Sequence, residues 1–134
     1  MEEAVRQLVR LRADNRCEYC HLPQDALPWA RFQIEHIRAK QHRGNDEPEN
    51  LAVACRKCNL HKGPNLSSID PETDELVPLF NPRLDSWSEH FRLVENQIVG
   101  LTAIGRATSV LLEMNDQDRI QLRAELTSQG MDLS

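Results

Sequence analysis

Hydrophobic and polar positions along the chain change period several times, and each change marks an element. In residues 2–13 Val5, Leu8, Val9 and Leu11 fall close to one helical face, with acids in the first turn and arginines later, as the helix dipole favours. A short N-terminal helix is expected there. From Arg31 to Ile37 the period drops to two: Phe32, Ile34 and His36 alternate with polar residues, which suits a half-buried strand. The polar stretch Arg38–Pro48, with Gly44, Asn45 and Asp46 as turn formers, reads as a loop to a second strand, Leu51–Ala54, and the two strands should form a hairpin. Residues 55–62 read as one or two helical turns ended by Gly63-Pro64. Further on, a strand is expected near Leu76–Phe80 and a second hairpin over Phe91–Leu101, turning near Asn96. Two closing helices follow, capped by Thr102 and Asp116; Ile104, Ala107, Leu111 and Met114 are spaced for one face of the first.

The chain has 134 residues, 40% hydrophobic and 28% charged, which suits one ordinary folded domain or a compact pair of subdomains. Only six side chains are aromatic, so the core should be mostly aliphatic and would gain from a cross-link. The longest apolar run is far short of the ~20 residues that span a bilayer, and Met1–Arg10 is too charged for a signal peptide, which points to the cytoplasm and to no membrane partner. In a reducing compartment the four cysteines read as metal ligands or redox groups rather than as lasting disulfides.

Net charge refines this picture. The overall value of −5 conceals a split, with a net of +2 over residues 1–66 and −7 over residues 67–134. The cysteine-bearing half is locally basic, so the overall acidity does not exclude a nucleic-acid partner.

Cys17-x-x-Cys20 and Cys55-x-x-Cys58 are matched pairs that can place four thiolates around one tetrahedral Zn²⁺. The gap of 34 residues exceeds the ~15–20 of simple zinc ribbons, so a folded insert, the hairpin, must lie between them. A closed shell of four thiolates has no open position for substrate, so such a metal would hold the fold and any chemistry would lie elsewhere.

Between and just after the pairs stand Glu35-His36, Asn50 and Cys58-Asn59-x-x-Lys62. In order and spacing the runs CEYC, IEHI, ENL and CRKCNLHKG, from Cys17 to Gly63, resemble the HNH endonuclease family, and the later stretch GPNLSSIDPETDELVPLFNPR resembles a bacterial subgroup of it. The resemblance implies an α+β protein with a ββα-metal core in residues 1–66, to which residues 67–134 add an acidic C-terminal extension of strands and two helices. It also implies metal-dependent hydrolysis of DNA. Imidazole titrates nearest neutral pH, so His36 is the expected general base. Glu35 and Asn59 are the expected ligands of a catalytic Mg²⁺ or Mn²⁺, which favours hard oxygen donors. Asn50 is expected to hold the loop and orient His36. Adjacent strand residues face opposite ways, so Glu35 and His36 can serve one site only if the strand ends or bulges there.

Glu35 stands where the family most often has Asp, and Asn59 where it often has His. Arg38, Lys40, Arg43, Arg56, Lys57 and Lys62 are candidate phosphate contacts. His61 could replace a metal ligand, His42 could contact phosphate, and His21 and His90 are expected at the surface. Two other functions fit parts of the pattern: a non-catalytic zinc module that binds DNA or a protein, and a thiol redox protein with reducible cysteine pairs.

Overall fold

The computed structural model describes all 134 residues. Helix α1 (Glu3–Arg12) carries Glu3 in its first turn and Arg10 and Arg12 in its last. Only Val9 on it is fully buried; Leu8 and Leu11 face solvent, so the buried seam is narrower than the sequence suggests. Two arginines take over the docking. Arg10 Nη1 donates to Phe32 O at 3.0 Å, and Arg12 Nη2 donates to Leu51 O at 2.8 Å and to Pro48 O at 3.0 Å.

Strands β1 (Gln33–His36) and β2 (Leu51–Ala54) form the expected antiparallel hairpin, with Glu35 opposite Ala52 and His36 opposite Leu51. All four residues of β2 are buried, and its unbroken apolar run fits a strand covered on both faces. On β1 the expected alternation is reversed. Glu35 turns inward, while Ile34 and His36 are half-buried. Helix α2 (Arg56–Lys62) starts at Cys55, whose Sγ accepts from Cys58 N at 3.4 Å, and stops at Gly63, whose φ of +50° suits glycine.

The second half begins with β3 (Ser67–Ile69) paired to β4 (Leu76–Pro78). Strand β3 has no pattern of its own, because Ser67 and Ser68 mask any alternation. The turn between them is held by Asp70, which is buried and receives Arg106 Nε and Nη2 at 2.9 and 2.8 Å. Next come the short helix α3 (Trp87–His90), which was not foreseen, and the hairpin of β5 (Phe91–Val94) and β6 (Gln97–Gly100). Glu95 and Asn96 both have positive φ, the signature of a two-residue primed turn. Helices α4 (Ala103–Leu111) and α5 (Gln117–Ser128) close the chain. Both expected caps are present: Thr102 Oγ1 accepts from Gly105 N at 3.1 Å and Asp116 Oδ1 from Arg119 N at 2.8 Å. Gly105 has a packing reason as well, since a Cβ there would meet His90 O at 2.0 Å.

One cluster of 20 buried residues runs through both halves, from Val9, Tyr19 and Val53 to Phe91, Leu112 and Leu126. Five of the six aromatics sit in it or against it. Tyr19 meets Phe80 edge-on, Phe80 meets Phe91, and Trp87 packs on Phe91 and donates its indole N–H to Tyr19 O at 2.8 Å. The sixth, Trp29, is 79% exposed. No helix is long and apolar enough to cross a membrane.

Candidate metal centre and hydrolytic cleft

The turn after α1 brings up Cys17 and Cys20, and the start of α2 brings Cys55 and Cys58. Their four buried sulfurs lie within 4.8 Å of one another, with Cys20 Sγ 3.7 Å from Cys55 Sγ. Tetrahedral zinc at ~2.3 Å from each sulfur requires sulfur separations of about 3.8 Å, so the donor set fits that ion. The thiols are electrostatically crowded. Burial pushes Cys17 and Cys58 up, while hydrogen bonds from Cys17 and Cys55 hold Cys20 down, a conflict that a cation taking four thiolates removes.

A residue that sequence reasoning missed completes the centre. Arg119, on α5 and 3% exposed, points Nη1 at Cys58 Sγ (3.1 Å), while its other nitrogens reach Leu112 O, Glu113 O and Asp116 Oδ2. Burial would lower this guanidinium, but the sulfurs of Cys58, Cys20 and Cys55 more than offset burial and leave it raised. Arg119 thus sets a fixed positive charge against the thiolates. Groups that support metal ligands in this way are typically worth about 10–100-fold in affinity. Arg119→Leu is therefore expected to lose zinc to a chromogenic chelator at concentrations roughly 10–100-fold lower than the parent does. Unchanged retention would make the contact incidental.

The hydrolytic candidates form a second group. At the end of β1, His36 Nε2 and Asp46 Oδ1 are 2.7 Å apart, and Lys40 Nζ donates to the other Asp46 oxygen at 2.8 Å. Lys40 and then His36 hold the Asp46 carboxyl down to about 2. An ionised carboxylate only accepts, so His36 Nε2 is the donor and Nδ1 keeps the free lone pair. Asp46 was read from the sequence only as a turn former.

Asn50 pins the loop that carries Asp46. It accepts from Arg38 N at 2.9 Å and donates to Arg38 O and Asn45 O at 3.0 and 2.8 Å. It holds the loop as expected, but the orienting bond to the imidazole comes from Asp46 instead. A cleft of about 240 Å³ is lined by Glu35, His36, Lys40, Asn59, Gly63 and Pro64 among others.

Glu35 departs from its expected role. The strand does end at His36, yet Glu35 is buried while His36 is half-buried, and Glu35 accepts from Tyr19 Oη on one oxygen and from Lys62 Nζ (3.0 Å) on the other. Burial raises its carboxyl, against the opposing pull of Lys62. Glu35 lines the cleft together with His36 and Asn59, but Tyr19 and Lys62 engage both of its oxygens, so it would hold a Mg²⁺ or Mn²⁺ only by giving up one of those bonds. Lys62 corrects a second expectation: it is 2% exposed and also donates to Ile37 O at 3.0 Å, so it does not reach backbone phosphate. Breaking one side of such a buried pair costs about 3–5 kcal/mol, which marks Glu35 and Lys62 as struts that fix the end of β1 to α2.

Lys57 is half-buried and paired with Asp116 at 2.9 Å and Asp118 at 3.6 Å, so its charge is largely spent inside the molecule. Arg38, Lys40, Arg43 and Arg56 are exposed. His61 turns to Glu113 at 2.9 Å, away from the cleft. His21 and His90 are not simple surface groups. His21 stacks on Trp87 at 4.0 Å, and His90 Nδ1 meets Thr102 Oγ1 at 2.6 Å.

The HNH endonuclease family model matches residues 17–65. The Septu protein PtuB of Bacillus thuringiensis is 27% identical over 110 residues, covering 81% of this chain and 40% of that protein, so the chain spans well under half of that relative's length. No solved structure matches the chain. The hairpin, helix α2 and the cysteine cluster all fall inside the span, residues 17–65, that is similar to the HNH endonuclease family.

Proposed function

We propose that the chain hydrolyses DNA phosphodiester bonds, with His36 as the general base. The observation that carries this reading is the His36–Asp46 pair, whose imidazole lines a cleft shared with Asn59 and Lys40. A carboxylate that fixes the imidazole tautomer and steadies the imidazolium is the arrangement a base needs. His36 Nδ1 takes a proton from water, the new hydroxide oxygen bonds to phosphorus, the bond to the sugar oxygen breaks, and that oxygen leaves with a proton from solvent while His36 returns its own to solvent. Exposed Arg38, Lys40 and Arg43 stand on the loop beside the cleft, where they can hold the nonbridging oxygens. Asn59 can donate from its amide.

A second reading, a non-catalytic zinc module that binds DNA or protein, draws support from the inward turn of Glu35. Supercoiled plasmid incubated with and without added Mg²⁺ or Mn²⁺ separates the two. Nicked or linear product is the expected result. Intact plasmid under every condition, from protein that retains its zinc and its fold, would favour the module.

A further inference from the structure

A groove of about 860 Å³ runs along α2 between the loop 23–32 and α5, and it meets the hydrolytic cleft at Asn59, which lines both. Its rim carries Trp29, the one fully displayed aromatic of the chain, and Leu60, 72% exposed. The loop under Trp29 is ordered by one side chain: Gln24 donates to Leu27 O and Ala30 O at 3.1 and 3.0 Å and accepts from Phe32 N at 2.6 Å. The indole therefore stands on a hydrogen-bonded turn. Exposed Arg31 and Arg56 line the same groove, and the ion pairs that cross it engage Lys57 with Asp118 while leaving these two guanidiniums free.

A displayed indole in one groove with two unpaired guanidiniums suits a ligand with a flat apolar face and a negative backbone. A paired duplex offers the charge, but its base faces are stacked inside; an unpaired base offers both. We propose that this groove binds an unpaired stretch of DNA strand next to the scissile phosphate, with a base stacked on Trp29 and phosphates held by Arg31 and Arg56. The proposal rests on the nuclease reading and deepens it, since it makes the preferred substrate a strand with unpaired nucleotides, such as a single strand, bubble or flap.

The test is fluorescence anisotropy with labelled oligonucleotides, single-stranded and fully paired, on a His36→Ala background so that nothing is cut. Trp29→Ala is expected to weaken single-strand binding by about 5- to 150-fold, the range of one lost base stack, and Trp29→Phe to keep most of the affinity. Duplex binding should stay close to the parent. Arg31→Ala and Arg56→Ala should each lower the slope of log affinity against log salt by about one. Tryptophan emission should be quenched by the single strand, and the quench should vanish in Trp29→Phe, because Trp87 is packed between Phe91 and His21.

Equal losses for single strand and duplex, or no loss for either, would overturn the proposal. So would a Trp29→Ala variant that binds DNA normally but changes its sedimentation, because the groove would then hold protein. The two readings fail separately. Wild-type protein that cleaves DNA while Trp29→Ala binds like the parent removes the groove alone, and wild-type protein that cuts nothing yet shows the stacking signature removes catalysis alone.

Discussion

Protein carrying Cys55→Ser is expected to lose its cooperative thermal transition, or to show it only at far lower temperature, and to contain substoichiometric zinc. Structural zinc is worth roughly 10–16 kcal/mol in small metal-stabilised domains, against a net stability of about 5–15 kcal/mol for a whole domain. Losing one of four thiolates therefore removes a quantity comparable with everything that holds the fold. The substitution also isolates the cause. Cys55 caps α2 through its Sγ, and serine is among the best residues at that position, so the cap survives the exchange. Collapse then reports the metal. A variant that melts like the parent by calorimetry, or a folded parent that elemental analysis finds free of zinc, would show that the four sulfurs do not hold the fold through a metal.

His36→Ala should behave in the opposite way. Its side chain is 23% exposed and lies outside the core, so melting temperature and zinc content should stay near the parent values. Plasmid cleavage should fall by roughly 10²–10⁴, the usual worth of a general base. Asp46→Asn keeps the imidazole but removes the carboxylate that fixes it, so its loss should be smaller. Because the folded Asp46 carboxyl is held near 2, below its ordinary value, the favourable pairing is complete above about pH 4 and fades only as pH falls towards 2. An acid limb of the rate profile that begins near neutrality thus belongs to a group other than Asp46. Cleavage by His36→Ala at the parent rate would remove the proposed base.

Local patterns carried much of this in advance. The β1–β2 hairpin, the helix behind Cys55, the Asn96 turn and the caps at Thr102 and Asp116 each depend on a few neighbouring residues, and all were legible. The four cysteines were legible for the same reason, because ligand spacing is a local property. What could not be read is what long-range packing decides. Glu35 and Lys62 look like surface groups in any window of sequence, and only Tyr19, 16 residues upstream of Glu35, makes an inward-facing pair affordable in free energy. Asp46 sits in a stretch that reads as pure turn, yet its partner is ten residues back across the loop. Arg119 gives no signal at all, because its role depends on sulfurs more than sixty positions away. Leu8 and Leu11 show the reverse error: their spacing suggests burial, but α1 docks through arginine to carbonyl contacts.

The contact between Arg119 and Cys58 bears on modularity. Four thiolates on a Zn²⁺ would leave two net negative charges in an apolar setting, and the cation placed to answer them comes from α5, far outside the matched span of residues 17–65. A recognisable motif and an autonomous folding unit are therefore different things in this chain. Excising the motif at Pro64 would strip its metal centre of a counter-ion and expose the faces of Tyr19 and Val53 that now lie in the shared core. The matched motif cannot be transplanted by its signature alone; it travels with its own electrostatic scaffold.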